Sequence, residues 1–219
     1  MLLDIHTHRG APYPEGIVSL RIGHEAAPAI ALLPGQLYSA GIHPWDTAEQ
    51  PDETLFSQLD LLAADPQVAA IGECGVDIVQ GGPMFRQLLT FRRHVELAEK
   101  VGKPLVIHAV KSYDIIMGLK RDLNPVQPWI IHGFRGKPSA ALQLVGKGIY
   151  LSFGEKFNPE AVTAVPENMI LAETDESALP IEEIIANLSG TAGHDLLPAI
   201  RANAQGLFFN SLKRLRQPS

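Results

Sequence analysis

The sequence predicts an α/β fold: a TIM-like (β/α)8 barrel, irregular or incomplete at its first crossover. Two observations carry this. Short β-branched or apolar runs alternate with longer amphipathic patterns, the rhythm of parallel strands joined by helices. Eight such runs occur in 219 residues, a length that suits one barrel domain spanning residues 1–219.

Taken in order, the strand candidates are Leu2–Ile5, Ile17–Ile22, Leu37–Ile42, Val68–Ile71, Leu105–Ile107, Trp129–Ile131, Ile149–Phe153 and Met169–Ala172. Helical patterns cover Asp52–Ala64, Pro83–Val101, Tyr113–Arg121, Ser139–Val145, Pro159–Val165, Ile181–Leu188 and Leu196–Arg216. The longest, Pro83–Val101, has a candidate apolar stripe of Phe85, Leu88, Leu89, Val95, Leu97 and Ala98. The last ends on Lys213, Arg214 and Arg216, which complement a helix dipole. Only about ten residues separate His8 from the second strand, whereas a parallel crossover usually takes a dozen or more. The first helix is therefore expected to be missing, and an antiparallel second strand stays open. The second crossover, His24–Gln36, is also short and holds Pro28 and Pro34.

Composition narrows the function. Hydrophobic residues make up 46% and charged residues 19%, which is globular and not disordered. A formal net charge of −6 argues against a broad basic surface for nucleic acid, so any such contact should be local. The lone Cys74 permits no intrachain disulfide and fits a reducing compartment. The N-terminus lacks signal-peptide character, and no apolar run nears the roughly 18 residues of a membrane span. A cytoplasmic protein is expected.

The chemistry gathers at strand ends. Strand one leads into His6 and His8, strand four into Glu73, strand five into His108, strand six into His132, and strand eight into Glu173 and Asp175. In a barrel these ends converge on one face. His6 and His8 are two apart, so both point into the mouth. Four imidazoles and two carboxylates there make a first-row metal site, with enough ligands for two divalent ions if one group bridges. Glu73 is the natural bridge, because a carboxylate has two oxygens. The histidine-rich set favours zinc, manganese, nickel or iron over an all-oxygen magnesium site. Such an ion lowers the pKa of its water from about 16 toward 7, which makes hydroxide available. Asp175 is placed to hold that water and take its proton as general base. Two ions, two carboxylates and a hydroxide sum to about +1, which favours an anionic substrate.

Several residues carry two readings. His43, before Pro44, could bind a substrate phosphate or fix a turn. Trp45 could stack on a base or cover the rim. Arg135, between Gly133 and Gly136, suits a phosphate clamp or a solvated loop. Glu173 could orient a ligand histidine, and Asp4 faces the side of His6 as another such partner. Cys74 points away from Glu73 and reads as buried and inert. His24, His94 and His194 have no motif context and receive no role.

The motifs together resemble the TatD family of metal-dependent hydrolases. They are Asp4-Ile5-His6-Thr7-His8, Gly41-Ile42-His43-Pro44-Trp45, Ile71-Gly72-Glu73-Cys74-Gly75-Val76-Asp77, His132-Gly133-Phe134-Arg135-Gly136 and Glu173-Thr174-Asp175. Phe85-Arg86-Gln87-Leu88, Leu97-Ala98, Asn203 and Leu207-Phe208 add to the likeness, which covers nearly the whole chain. The resemblance implies a TIM barrel, two divalent ions, and nuclease activity on DNA, commonly from the 3′ end. By motif position it makes His6, His8, Glu73 and Asp175 ligands of a first ion, and Glu73, His108 and His132 ligands of a second. Two departures stand out. Family members usually run longer and carry a helix between strands one and two. They often have an arginine two residues after the strand-five histidine, where this chain has Val110 followed by Lys111. Lys111 can supply that charge as a point and not a fork.

The expected activity is hydrolysis of phosphodiesters at DNA ends, with His43, Lys111 and Arg135 positioning the phosphate. The first rival is hydrolysis of a small anionic ester, lactone, amide or aminoacyl ester by the same site. The second is a non-catalytic metal-binding protein on this fold, which the intact ligand set disfavours.

Overall fold

The structure, a computed structural model, describes residues 2–23, 31–51 and 53–209. Its strands are β1 (Asp4–Thr7), β2 (Gly16–Arg21), β3 (Leu37–Gly41), β4 (Val68–Asp77), β5 (Leu105–Val110), β6 (Trp129–Ile131), β7 (Ile149–Phe153) and β8 (Ile170–Ala172). They close into one parallel barrel in chain order, sealed where Asp4 pairs with Ala172. The described helices are α1 (Glu53–Ala64), α2 (Met84–Val101), α3 (Tyr113–Leu123), α4 (Pro138–Val145), α5 (Pro159–Ala164), α6 (Ile181–Ala192) and α7 (Leu197–Leu207). None of them is long and apolar enough to cross a membrane.

The first crossover has no helix, as expected: residues 8–15 are irregular. β2 nevertheless runs parallel to β1, which excludes the antiparallel option. Eight extended residues reach roughly 26 Å, enough to bring the chain back to the start of β2 without a helix. In place of the helix, the Arg9 guanidinium donates to the Ser177 carbonyl at 3.0 Å and also to that of Leu179. The short connection is thereby tied to the loop after β8. His24, Pro28, Asp52 and the predicted last turn with Lys213, Arg214 and Arg216 lie outside the described residues.

Alternate strand residues face opposite ways. Leu105, Ile107, Trp129 and Ile131 pack outward with the helices, while Ile5, Ile17, Leu37, Val106, Ile130 and Leu171 form a second cluster that fills the barrel. Three register shifts break this alternation: one in β1 between Asp4 and Thr7, one in β4 between Val68 and Ala70 against β3, and one in β4 between Ile71 and Cys74 against β5. Ile71 and Cys74 are three apart, yet both lie in the outer core. The extra residue lets Glu73 point inward while Cys74 stays outside, and bulges beside active sites re-aim side chains in this way. The bulge needs its glycines. Gly72 and Gly75 have φ of 142° and 148°, and a Cβ on them would lie 2.3 Å and 2.0 Å from the carbonyls of Val106 and His108.

The β1 shift overturns the placing of Asp4 beside the His6 ring. Its carboxylate instead accepts from the His6 backbone N–H at 3.3 Å and from the Thr174 N–H and hydroxyl at 3.0 and 2.6 Å. Burial pushes that carboxyl up to about 7, against the opposing hydrogen bonds of Thr174. Asp4 thus ties β1 to the segment that carries Asp175.

The buried face of α2 also differs from the predicted stripe. Phe85 and Leu89 are exposed, whereas Gln87, Thr90, Phe91, His94, Val95 and Ala98 are buried. Polar side chains with full partners can occupy a core face. Gln87 accepts from the Asp77 N–H at 2.8 Å and donates to the carbonyls of Asp77 and Gly82 at 3.0 and 2.6 Å.

His94, given no role in sequence, is a buried tie to β3. Its Nδ1–H donates to the Thr90 carbonyl at 2.7 Å, and its Nε2 accepts from the Ile42 N–H at 2.9 Å. Both bonds require a neutral ring, and burial lowers its pKa to about 4. The neutral ring stabilises the fold fully above the ordinary histidine value of about 6.5, and that contribution is lost as pH falls toward 4. Between pH 7 and pH 4.5 the native protein should therefore lose about 2 to 3 kcal/mol relative to His94→Gln in urea unfolding. An unchanged difference would mean that His94 takes up its proton in the folded state.

Candidate metal centre

The strands run past their apolar cores, because backbone pairing does not depend on side-chain polarity. His6, Glu73 and His108 consequently lie within β1, β4 and β5, and not beyond them as predicted. His8, His43 and His132 follow β1, β3 and β6, and Glu173 and Asp175 follow β8. All meet at the C-terminal mouth around the Glu73 carboxylate, which is 7% exposed.

The two oxygens of Glu73 face different partners. Oε2 lies 3.5 Å from the Nε2 atoms of both His6 and His8. Oε1 lies 2.7 Å from His108 Nδ1, 2.8 Å from His132 Nε2 and 3.0 Å from His43 Nε2. Asp175 Oδ1 closes the first group, 3.9 Å from His6 Nε2 and 3.6 Å from His8 Nε2. Backbone bonds of 3.0 Å from the Asp175 N–H to the His6 carbonyl and from the His8 N–H to the Asp175 carbonyl pin this residue. Its φ of 53° turns the chain at Asp175, which also bridges to Thr7 of β1. Glu173 and Asp175 line one pocket.

The electrostatics centre on the same carboxylate. Burial acts to raise the Glu73 pKa, but His132, His108 and His43 together hold it well below the usual carboxylate range. Burial acts to lower His132, and Glu73 and Glu173 override it and raise that ring well above its ordinary value. Contact with Glu73 raises His8, whereas burial wins at His43 and lowers it.

These residues fit divalent ions. Among the described residues both ring nitrogens of His6 are buried without a hydrogen-bond partner, a cost of about 1–3 kcal/mol for each unsatisfied group. An oxygen with two lone pairs cannot accept good hydrogen bonds from three nitrogens around Oε1. A cation on either side of Glu73 relieves both conflicts, and mixed imidazole and carboxylate sets suit first-row metals. His6, His8 and Asp175 form one compact donor group, and His6, Glu73 and His132 form another.

The other candidates take definite places. His43 caps a 3-10 turn (Pro44–Thr47), its Nδ1 accepting from the Trp45 N–H at 3.2 Å, so the turn-fixing role and proximity to the site coexist. Glu173 Oε1 stands 3.5 Å from His132 Nδ1 and accepts from the Gly133 N–H at 2.5 Å. Arg135 lines a pocket of about 200 Å³ with Lys156, Glu173 and Asp175. Lys111 stands exposed on the turn after β5, with φ of 52°. Trp45 is 42% exposed at the rim. Cys74 is buried in the outer core, where desolvation raises its thiol well above the ordinary value. Sequence reasoning gave Asp77 no role, yet its carboxylate touches His108 at 3.2 Å. Its position four residues beyond Glu73 in the same motif was the available signal.

A family profile described as TatD related DNase matches residues 20–208. The chain belongs to this family. The matched span begins within β2, so His6 and His8 lie outside it. An uncharacterized metal-dependent hydrolase of Bacillus subtilis strain 168, YabD, is 32% identical over 149 residues, covering 64% of this chain and 58% of its own. The chain thus spans less than two thirds of that relative. A protein named 3'-5' ssDNA/RNA exonuclease TatD, from Erwinia billingiae, is 26% identical over 207 residues, covering 80% of this chain and 78% of its own. The crystal structure of YjjV, a TatD homologue from Escherichia coli K12, superposes with a TM-score of 0.80 at 19% identity. It covers 95% of this chain and 98% of its own, a likeness of fold. The Bacillus subtilis relative is named a metal-dependent hydrolase, and the cluster around Glu73 brings together groups that could hold metal ions here.

If Glu73 serves both ions, Glu73→Gln should reduce stoichiometry from two ions per chain to one or none. Adding Zn²⁺ or Mn²⁺ to chelated native protein at about 100 times Kd should stabilise it by about 2.7 kcal/mol per site. Calorimetric titration and thermal melts of both proteins test this. Two ions bound equally tightly by the variant would refute the bridge.

Proposed function

We propose that the chain hydrolyses phosphodiester bonds at DNA ends, from the 3′ side, in the cytoplasm. The observation that carries this reading is the division of Glu73, with one oxygen toward His6 and His8 and the other toward His108 and His132. The exonuclease name of the Erwinia billingiae relative supports the choice of substrate.

In this reading His6, His8, Glu73 and Asp175 hold one ion, and Glu73, His108 and His132 hold the other. When bound, the pair supplies hydroxide at neutral pH and offsets charge on the phosphate. Asp175 takes the proton of the attacking water at Oδ1, and the two backbone bonds that fix Asp175 keep this oxygen beside His8. Arg135 shares a pocket with Asp175 and clamps the phosphate from that side. His43 and Lys111, on the loops after β3 and β5, complete the phosphate contacts. Local cations in a mouth of this kind reconcile an anionic substrate with a formal net charge of −6.

The test is metal analysis followed by assay of native protein and Asp175→Asn on a 3′-ended DNA strand, beside phosphodiester, ester and lactone substrates. Native protein should shorten the DNA. Asp175→Asn should lose about 10²- to 10⁴-fold in kcat, the range for a positioned general base. Lactone or ester turnover without DNA shortening would replace the nuclease reading with that of a small-substrate hydrolase.

A further inference from the structure

We propose that Asp77 is the positioning residue that fixes His108 in the Nε2–H tautomer, so that Nδ1 presents a lone pair to the metal centre, and that Trp45 shares the same carboxylate oxygen.

The geometry divides the Asp77 carboxylate cleanly. Oδ1 accepts from the backbone N–H groups of Val79 and Gln80 at 2.7 and 2.9 Å, which closes the turn after β4. Oδ2 faces the other way. It accepts from Trp45 Nε1–H at 2.7 Å and lies 3.2 Å from His108 Nε2. Asp77 is 2% exposed, and Gln87 holds its backbone on both sides, so the carboxylate has no freedom to turn. An ionised carboxylate only accepts. The nitrogen facing it must therefore carry the proton, and in the neutral ring Nδ1, 2.7 Å from Glu73 Oε1, is then the bare nitrogen.

A bare nitrogen against a carboxylate oxygen is repulsive unless a cation joins them, so the Asp77–His108–Glu73 line is set for a bound ion. His43 shows the opposite setting beside the same oxygen. Its Nδ1 accepts from the Trp45 N–H, so a neutral His43 turns Nε2–H toward Glu73 Oε1 at 3.0 Å. One imidazole donates to Glu73 while the other withholds its proton from it. Trp45 serves both, through its backbone N–H on His43 and its indole N–H on Asp77. Carboxylate partners of ligand histidines fix tautomer and ring orientation, and their loss typically weakens metal binding about 10- to 100-fold.

The inference rests on the metal-centre reading but not on the substrate. Nitrogen NMR of histidine-labelled, metal-free native protein at alkaline pH reads the tautomer directly, with His108 assigned by its absence in His108→Gln. The expected result is a protonated Nε2 and a bare Nδ1, and a protonated Nδ1 would overturn the proposal whether or not any variant folds. In Asp77→Asn combined with Trp45→Phe, which removes the indole donor from Oδ2, the two backbone N–H groups keep an oxygen at Oδ1, so the amide NH₂ takes the place of Oδ2. His108 must then accept at Nε2 and carry its proton on Nδ1. Calorimetry should show one of two ions bound about 10- to 100-fold more weakly, with the other unchanged. Trp45→Phe alone, which removes only the second donor, should leave tautomer and affinity as in native protein. Native affinity for both ions in the double variant would overturn the proposal. Absence of DNA hydrolysis with the expected tautomer would overturn the proposed function alone.

Discussion

A carboxylate buried at the mouth of a barrel must be met by positive charge or by donors, since leaving it bare costs several kcal/mol. Glu73 is met by imidazoles delivered from β1, β3, β5 and β6. The remainder of the site follows from this arrangement. More nitrogens face the carboxylate than its lone pairs can serve, and the ring of His6 has no hydrogen-bond partner among the described residues. Divalent ions resolve that excess, and the Bacillus subtilis relative, named a metal-dependent hydrolase, supplies the precedent.

The fold is bent to place that carboxylate. The bulge in β4 turns Glu73 inward between Ile71 and Cys74, and close packing on β5 demands glycine at positions 72 and 75. A second irregularity in β1 separates the roles of Asp4 and His6, which simple alternation would place together. Asp4 holds Thr174, and Thr174 leads into Asp175, so one buried acid fixes the strand pair that carries three proposed ligands. The missing first helix does not leave this edge loose, because Arg9 reaches across to the loop beyond β8.

The barrel was legible because each strand is an apolar, β-branched run and each helix follows at the right spacing. The proposed ligands were legible because each follows such a run, and convergence at a barrel mouth turns separate positions into one cluster. The bulges were not legible, since a one-residue register shift leaves no mark in an apolar pattern. The same shift hid the true neighbours of Asp4. The exposed Phe85 and Leu89 were misjudged because Gln87 and His94, polar by type, take the core face of α2 with full hydrogen bonding. Asp77 escaped notice because its importance lies in which oxygen faces which donor, and only a structure shows this.

The central claim is that Glu73 joins two ions, and anomalous scattering from crystals grown with Mn²⁺ or Zn²⁺ tests it most directly. The account predicts two peaks at the barrel mouth, one beside each oxygen of Glu73, with His6, His8 and Asp175 around the first and His108 and His132 around the second. A single peak, or two peaks of which either fails to touch Glu73, would contradict it.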